Sequence, residues 1–288
     1  MEEVNGAVAE KQPLVRKATG EKEPFNAAKL EKSLFNAGAN DRTVKEITEE
    51  ISEWIFDGVT TKKIYARAFA LLRSKKSSAA PRYRLKQAIL EMGPSGYPFE
   101  HLVGEIFKKR GYKVEVGANA DGDCVTHEMD VIATKENRQH LIECKFGQDQ
   151  GKYVSVQVPL YVRSRVDDIV SKRKNMPEYE GTEFTGWVVS STRFSHDAVT
   201  YGTCAGLKML GWDYPAGEGL KDIIEKENII PVTLLSKLNK EEKRIIMEKG
   251  IVTCRALLNE TDILDTFEIS QRKKEHIIKE ARKLTGGL

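Results

Sequence analysis

Apolar residues recur at helical spacing through the first third of the chain, at strand spacing through much of the middle, and at helical spacing again towards the end. Residues 1–12 are polar and aperiodic and predict a flexible tail. From Leu14 a short strand, a turn at Thr19-Gly20 and a second short strand ending near Phe25 precede four helices. Asn26 suits the N-cap of the first, which carries Leu30, Leu34 and Phe35. The second, over about residues 41–56, places Val44, Ile47, Ile51 and Ile55 on one face. The third covers about residues 61–73 and the fourth about 79–92, so that residues 13–92 form one module. Gly93-Pro94-Ser95-Gly96-Tyr97-Pro98 breaks the pattern and reads as a linker, 93–98.

Residues 99–215 read as helix, strand, strand, strand, helix, strand, helix. One strand begins at Asp130 and the next holds Glu143-Cys144-Lys145. Both are rich in Val, Ile and Leu, and the polar turn Lys135-Glu136-Asn137-Arg138 separates them. Alternation sends Glu143 and Lys145 to one face and Ile142, Cys144 and Phe146 to the other. Acids and bases in an apolar sheet need compensation. A divalent cation on Asp130 and Glu143, with Lys145 beside it, supplies that compensation and suits phosphodiester hydrolysis. After a break at Asp213-Tyr214-Pro215-Ala216-Gly217, residues 216–288 are charged and helical, with apolar stretches at Leu234-Leu235, Ile245-Ile246 and Ile277-Ile278. The expected fold class is therefore multidomain, α/β in the middle and largely α at both ends.

A charged fraction of 31% against 40% hydrophobic suits several small cores better than one large one. The net charge of +3 is too small to diagnose a nucleic-acid partner, so any basic surface must be local. Cys124, Cys144, Cys204 and Cys254 form no CxxC pair, which argues against a zinc site or a disulfide scaffold and fits a reducing compartment. No apolar run is long enough for a membrane and the acidic start is no signal peptide, so a cytoplasmic protein without a membrane partner is expected. His101, His140, His196 and His276 show no metal-ligand spacing, and His127 reads as structural.

Two family resemblances rest on particular residues. Asp130 followed by Glu143-x-Lys145 looks like the PD-(D/E)XK nuclease core, in its Mrr-like restriction endonuclease branch. The likeness extends over about residues 97–212. It takes in Phe99-Glu100-His101-Leu102-Val103, Gly111-Tyr112-Lys113-Val114, Gln157-x-x-x-Tyr161, Gly186-Trp187-Val188-Val189-Ser190 and Phe194-Ser195-x-x-Ala198. Thr126-His127-Glu128-Met129-Asp130 departs from the family's commoner glycine-containing approach. Residues 15–88 resemble an ATP-cone, through Val15-x-Lys17-x-x-Gly20, Glu23-Pro24-Phe25-Asn26, Lys29-Leu30, Ser33-Leu34, Ala37-Gly38 and Arg82-Tyr83, with Ala18 where that family has a second basic residue.

The nuclease resemblance implies a restriction-endonuclease-like α/β core in which Asp130, Glu143 and the Cys144 backbone carbonyl hold Mg²⁺ or Mn²⁺. Lys145 would position the attacking water or stabilise the developing charge. Glu100 would be an accessory acid, Gln157 would brace the lysine or the nucleophile, and Tyr161 would contact the DNA backbone. The cone resemblance implies ATP or dATP as an effector, its phosphates met by Val15, Arg16, Lys17 and Lys29. No Walker-type GxxxxGK[ST] loop is present, which points to an effector rather than a fuel. The helical end faintly resembles helix-hairpin-helix modules, with Gly250 at a turn and Lys273, Lys274, Lys279, Arg282 and Lys283 as a basic terminus. The expected activity is an Mg²⁺-dependent DNA endonuclease under nucleotide control, with a homodimer or larger homo-oligomer if both strands are cut. The alternative is a nucleotide-responsive DNA-binding regulator with a silent nuclease fold.

Overall fold

The computed structural model describes residues 12–17, 20–75, 79–149 and 151–286. The tail expected over residues 1–12 lies outside them except for Gln12, as do Ala18 and Thr19. The chain divides into two units, one ending at Tyr83 and the other beginning at Arg84.

The first unit opens with an antiparallel hairpin of β1 (Leu14–Arg16) and β2 (Lys22–Pro24), in the register Val15↔Glu23. Three helices follow: α1 (Ala27–Asn36), α2 (Asp41–Trp54) and α3 (Thr61–Ser74), then a short α4 (Ala79–Tyr83). Each of the first three begins at a side-chain cap. Asn26 accepts from Lys29 N–H, Asn40 from Thr43 N–H and Thr60 from Lys63 N–H. Leu34, Ile47, Ile51, Ala68 and Leu72 are fully buried between the helices.

The expected fourth helix over 79–92 breaks at Arg84. Its second half, α5 (Leu85–Leu90), is a separate helix whose Leu85, Ala88 and Ile89 join the core of the second unit. There Thr233 Oγ1 donates to the Ala88 carbonyl at 2.6 Å. The division thus precedes the expected 93–98 linker, because the apolar face of α5 finds its partners downstream.

The second unit is built on a five-stranded sheet of order β3-β4-β5-β7-β9. α6 (Tyr97–Lys109) leads into the antiparallel β3 (Lys113–Asp121), β4 (Thr126–Lys135) and β5 (Arg138–Lys145). Between β4 and β5 the chain reverses at Glu136, in the left-handed region at φ 52°. After β6 (Tyr153–Val154) come the long α7 (Gln157–Lys174) and β7 (Glu183–Ser190), parallel to β5 from Arg138↔Glu183 to Lys145↔Ser190. β8 (Arg193–Phe194) pairs with β6, α8 (His196–Cys204) returns the chain, and β9 (Lys208–Leu210) lies parallel to β7. β6, β8 and β9 are too short to show a period in sequence; pairing with a neighbour defines them.

Each face of the sheet carries its own core. Val131, Ala133, Ile142, Cys144 and Val189 pack with α6. Ile132, Leu141 and Val188 pack with Val162, Val166 and Ile169 of α7 and Ala198 of α8. The expected C-terminal helices are present as α9 (Leu220–Lys226), α10 (Lys240–Glu248), α11 (Cys254–Asn259) and α12 (Gln271–Leu284). They do not close a core of their own. Leu220, Ile246, Leu257 and Ile277 share one apolar cluster with α6 and the sheet, so residues 216–288 and the α/β core form one unit.

Candidate active site

The site forms where β4 and β5 part. Their ladder runs from Lys135↔Arg138 to Val131↔Ile142 and stops one residue short of Asp130. On the other side of β4, pairing with β3 holds at Val116↔Val131 and Ala118↔Met129 but is interrupted between them, where Gly117 takes φ 62° opposite Asp130. Asp130 therefore lies outside regular pairing on both sides, and its carboxylate turns towards β5. The glycine near the aspartate sits on the neighbouring strand rather than in the approach to Asp130. Asp130 Oδ2 accepts from the Cys144 backbone N–H at 2.6 Å. The contact made by the Cys144 peptide to Asp130 is thus through its amide, while the carbonyl was the group expected to meet a metal.

Alternation on β5 places Glu143 and Lys145 on the α7 face, as the sequence pattern requires. Glu143 is only 4% exposed, and both of its oxygens are engaged. Oε1 accepts from Lys145 Nζ at 2.8 Å and from the Tyr161 hydroxyl at 2.9 Å, and Oε2 accepts from Arg165 Nη1 at 2.8 Å. Lys145 Nζ also lies 5.6 Å from the centre of the Tyr161 ring, within cation–π range. The Lys145 carbonyl accepts from Ser191 N–H and from the Ser190 hydroxyl, both at 3.1 Å, which fixes the strand end that carries the lysine.

The electrostatics follow from burial and crowding of like charge. Burial, then the neighbouring charge of Glu143, pushes Asp130 up to about 6, against the Cys144 N–H bond and the attraction of Lys145. Glu100, in the first turn of α6, is pushed up to about 7 by burial, then by Asp130, Glu128 and Glu143. Burial pulls the Lys145 ammonium down, but its bonds to Glu143 and Tyr161 outweigh that and hold it above the usual range. Among Asp130, Glu143, Glu100, Lys145 and Arg165, three carboxylates face two cations, which leaves a negative excess in a partly dehydrated place.

That excess suits a small hard cation. Among the described residues no three His, Cys, Asp or Glu side chains converge for a metal. A cation here would therefore rest on the two carboxylates, peptide oxygen and water, the donor set that Mg²⁺ prefers.

Other expected residues fall differently. Gln157 begins α7 but is exposed, and its side chain makes no hydrogen bond among the described residues. The brace expected of it comes from Tyr161, one helical turn on. Arg165, a further turn along, was not singled out from the sequence, although the spacing Gln157, Tyr161, Arg165 puts all three on one helix face. His127 serves structure: Nε2 lies 2.7 Å from Asp168, whose carboxylate also accepts from Cys124 N–H and Val125 N–H and so pins the β3–β4 turn.

Gly250 does not offer its amide to a phosphate. Its N–H donates to Met247 O at 2.9 Å, its φ is 79°, and a Cβ there would stand 2.6 Å from the His101 ring. Of the basic terminus, Lys273 and Lys274 are bound to Glu242 and Asp265. Lys279, Arg282 and Lys283 make no ion pair among the described residues.

In the first unit, Lys17 and Lys29 converge on one carboxylate. Glu23 lies 2.9 Å from Lys17 and 3.2 Å from Lys29. Val15 and Lys29 line a cavity of about 190 Å³ with Asn26, Ser33 and the tyrosines Tyr65 and Tyr83, whose rings stack at 4.6 Å. Lys17 and the exposed Arg16 do not line it.

Comparison with known proteins agrees with the second unit. An uncharacterized protein of Archaeoglobus fulgidus is 28% identical over 185 residues, covering 64% of this chain and 100% of that protein. A solved structure described as the crystal structure of a protein of unknown function, AF1548, superposes with a TM-score of 0.54 at 28% identity, over 67% of this chain and 100% of that one. Residues 231–285 match the family described as AF1548-like, C-terminal. Residues 92–210, which hold Asp130, Glu143 and Lys145, match the restriction endonuclease family.

Proposed function

We propose that this protein is a metal-dependent DNA endonuclease whose activity is set by a nucleotide bound to its first unit. The observation that carries the reading is the meeting of Asp130 with Glu143 and Lys145 at the parted ends of two strands, inside a domain that matches restriction endonucleases. Asp130 and Glu143, with the peptide oxygen of Cys144, would hold Mg²⁺ or Mn²⁺. Such a cation, when bound, polarises the scissile phosphate and acidifies a water.

The chain's own residues supply the remainder. Lys145 keeps its positive charge throughout the neutral range and is aimed by Glu143 and Tyr161 at the mouth of the site. There it can orient the attacking water or balance charge gathering on the phosphate. Glu100, held near neutrality, can exchange a proton at the same mouth. Nucleotide control is supported by the placing of Lys17 and Lys29 at Glu23 beside a tyrosine-lined cavity; Lys17 is also paired to Glu21 at 3.1 Å, so a polyphosphate would compete with these carboxylates for the two ammonium groups.

The test is cleavage of supercoiled plasmid by the protein and by its Lys145→Ala variant, with and without Mg²⁺, Mn²⁺ and ATP. Metal-dependent nicking or linearisation by the parent alone is the expected result. Retardation of plasmid with no nicking under any condition would overturn it in favour of a DNA-binding regulator.

A further inference from the structure

Arg165 joins both banks of the site. One amino group donates to Glu143 Oε2 on β5 at 2.8 Å, and the other donates to the Glu128 carbonyl on β4. Glu128 lies beyond the end of the β4–β5 ladder, two residues before Asp130, in a stretch where no backbone bond ties β4 to β5. The guanidinium takes the place of the missing rung. Together with the bond from Cys144 N–H to Asp130, it is what holds the two carboxylate-bearing segments at a set distance. The side chain reaches this position from the middle of α7, whose Val162, Val166 and Ile169 are buried against the sheet on either side of it, so the bridge has a rigid base.

We infer that Arg165 is a positioning residue that sets the gap between Asp130 and Glu143, and with it which divalent cation the pair accepts. The inference rests on the metal-dependent reading above. A planar guanidinium reaches the two acceptors with two separate nitrogens held in a rigid fork, whereas an ammonium, despite its three donors, would have to meet both from one nitrogen on a flexible stem. If the role is to supply charge, lysine replaces arginine. If the role is to span the fork, it does not.

Cation choice is sensitive to that span. Mg²⁺ demands a tight octahedron at roughly 2.0–2.1 Å, while Ca²⁺ accepts looser shells at roughly 2.3–2.6 Å. A fork that relaxes outward therefore penalises Mg²⁺ first.

The experiment is calorimetric titration of the full-length protein with Mg²⁺ and with Ca²⁺, in the parent and in Asp130→Asn, Arg165→Lys and Arg165→Ala. Metal-free thermal melting confirms that each variant is folded, and Arg165→Lys carries the test if the alanine variant is not. In the parent, Mg²⁺ binding should depend on Asp130. Arg165→Lys should weaken it by about tenfold or more, the usual scale for a residue that orients ligands, with Ca²⁺ affinity retained, so that the preference shifts towards Ca²⁺. An unchanged Mg²⁺-to-Ca²⁺ ratio in Arg165→Lys, or an equal loss of both ions in Arg165→Ala, would overturn the inference and leave the nuclease reading standing. Absence of any Asp130-dependent cation binding in the parent would overturn both.

Discussion

Replacing Asp130 by asparagine should make the metal-free protein more stable at neutral pH, which is the reverse of the usual effect of removing a buried, hydrogen-bonded group. Asp130 ordinarily ionises near 3.8 and is held at about 6 here, by burial first and then by Glu143. Moving between those values corresponds to about 3 kcal/mol against the charged form, and solvent reaching a half-buried carboxylate reduces this to about 1–2 kcal/mol.

The sign follows from linkage. For an acid whose value rises on folding, the contribution to stability is fully present below about 4, where folded and unfolded chains are both protonated. It is lost as the pH climbs through about 6. Asparagine keeps an oxygen for the Cys144 N–H and carries no charge, so the variant escapes that loss.

The assay is thermal unfolding of parent and Asp130→Asn from about pH 4 to pH 8 in chelator. The difference should be near zero at the acid end and grow to roughly 2–8 °C in the variant's favour above pH 6.5, given a unit of this size. Excess Mg²⁺ should then reverse the order, since only the parent gains from binding, by about 2.7 kcal/mol at a hundredfold excess over Kd. A variant less stable than the parent at pH 7.5 in chelator would refute the reasoning and make Asp130 a structural residue.

Two further outcomes concern cation binding at the same site and the packing of α6. Mn²⁺ affinity should rise with pH through the region from about 6 to about 7, because Asp130 and Glu100 must both be ionised to offer full charge to a cation; a flat profile across that region, measured by manganese resonance titration, would contradict the electrostatics of the site. Gly250→Val should destabilise the second unit by about 2–4 kcal/mol, since it forces a β-branched residue to φ 79° and against the His101 ring; a variant that melts with the parent would show that α6 and the turn after α10 are not packed together.

Much of the secondary structure was legible because its cause is local. Asn26 and the Leu30–Leu34 spacing mark α1, and the apolar runs around Lys135-Glu136-Asn137-Arg138 mark a hairpin, since caps, helical faces and turns act within a few residues. Period-two alternation likewise places Glu143 and Lys145 on one side of β5. The family motifs add Asp130 to that pair, but its turn towards β5 depends on the Gly117 interruption in a strand nine residues long on the far side of β4.

Other features had no local signal. Residues 79–92 look like one helix, yet Leu85, Ala88 and Ile89 belong to a core completed by Val232, Leu257 and Ile277, which lie far along the chain. Lys17 and Lys29 read as free cations until β2 brings Glu23 between them. Gly250 has the composition of a phosphate-binding turn, and the structure closes it with His101.

By itself, then, the sequence determined which residues could carry charge to the end of a strand and which segments would be helices or strands, because periodicity and capping are properties of neighbours. Tertiary structure decided where the strands part, that Tyr161 and Arg165 rather than Gln157 reach Glu143, and that the C-terminal helices finish the core beneath the site. Those outcomes depend on burial and pairing between residues distant in sequence, where the free energy of a contact is set by what the fold brings opposite, not by the residue alone.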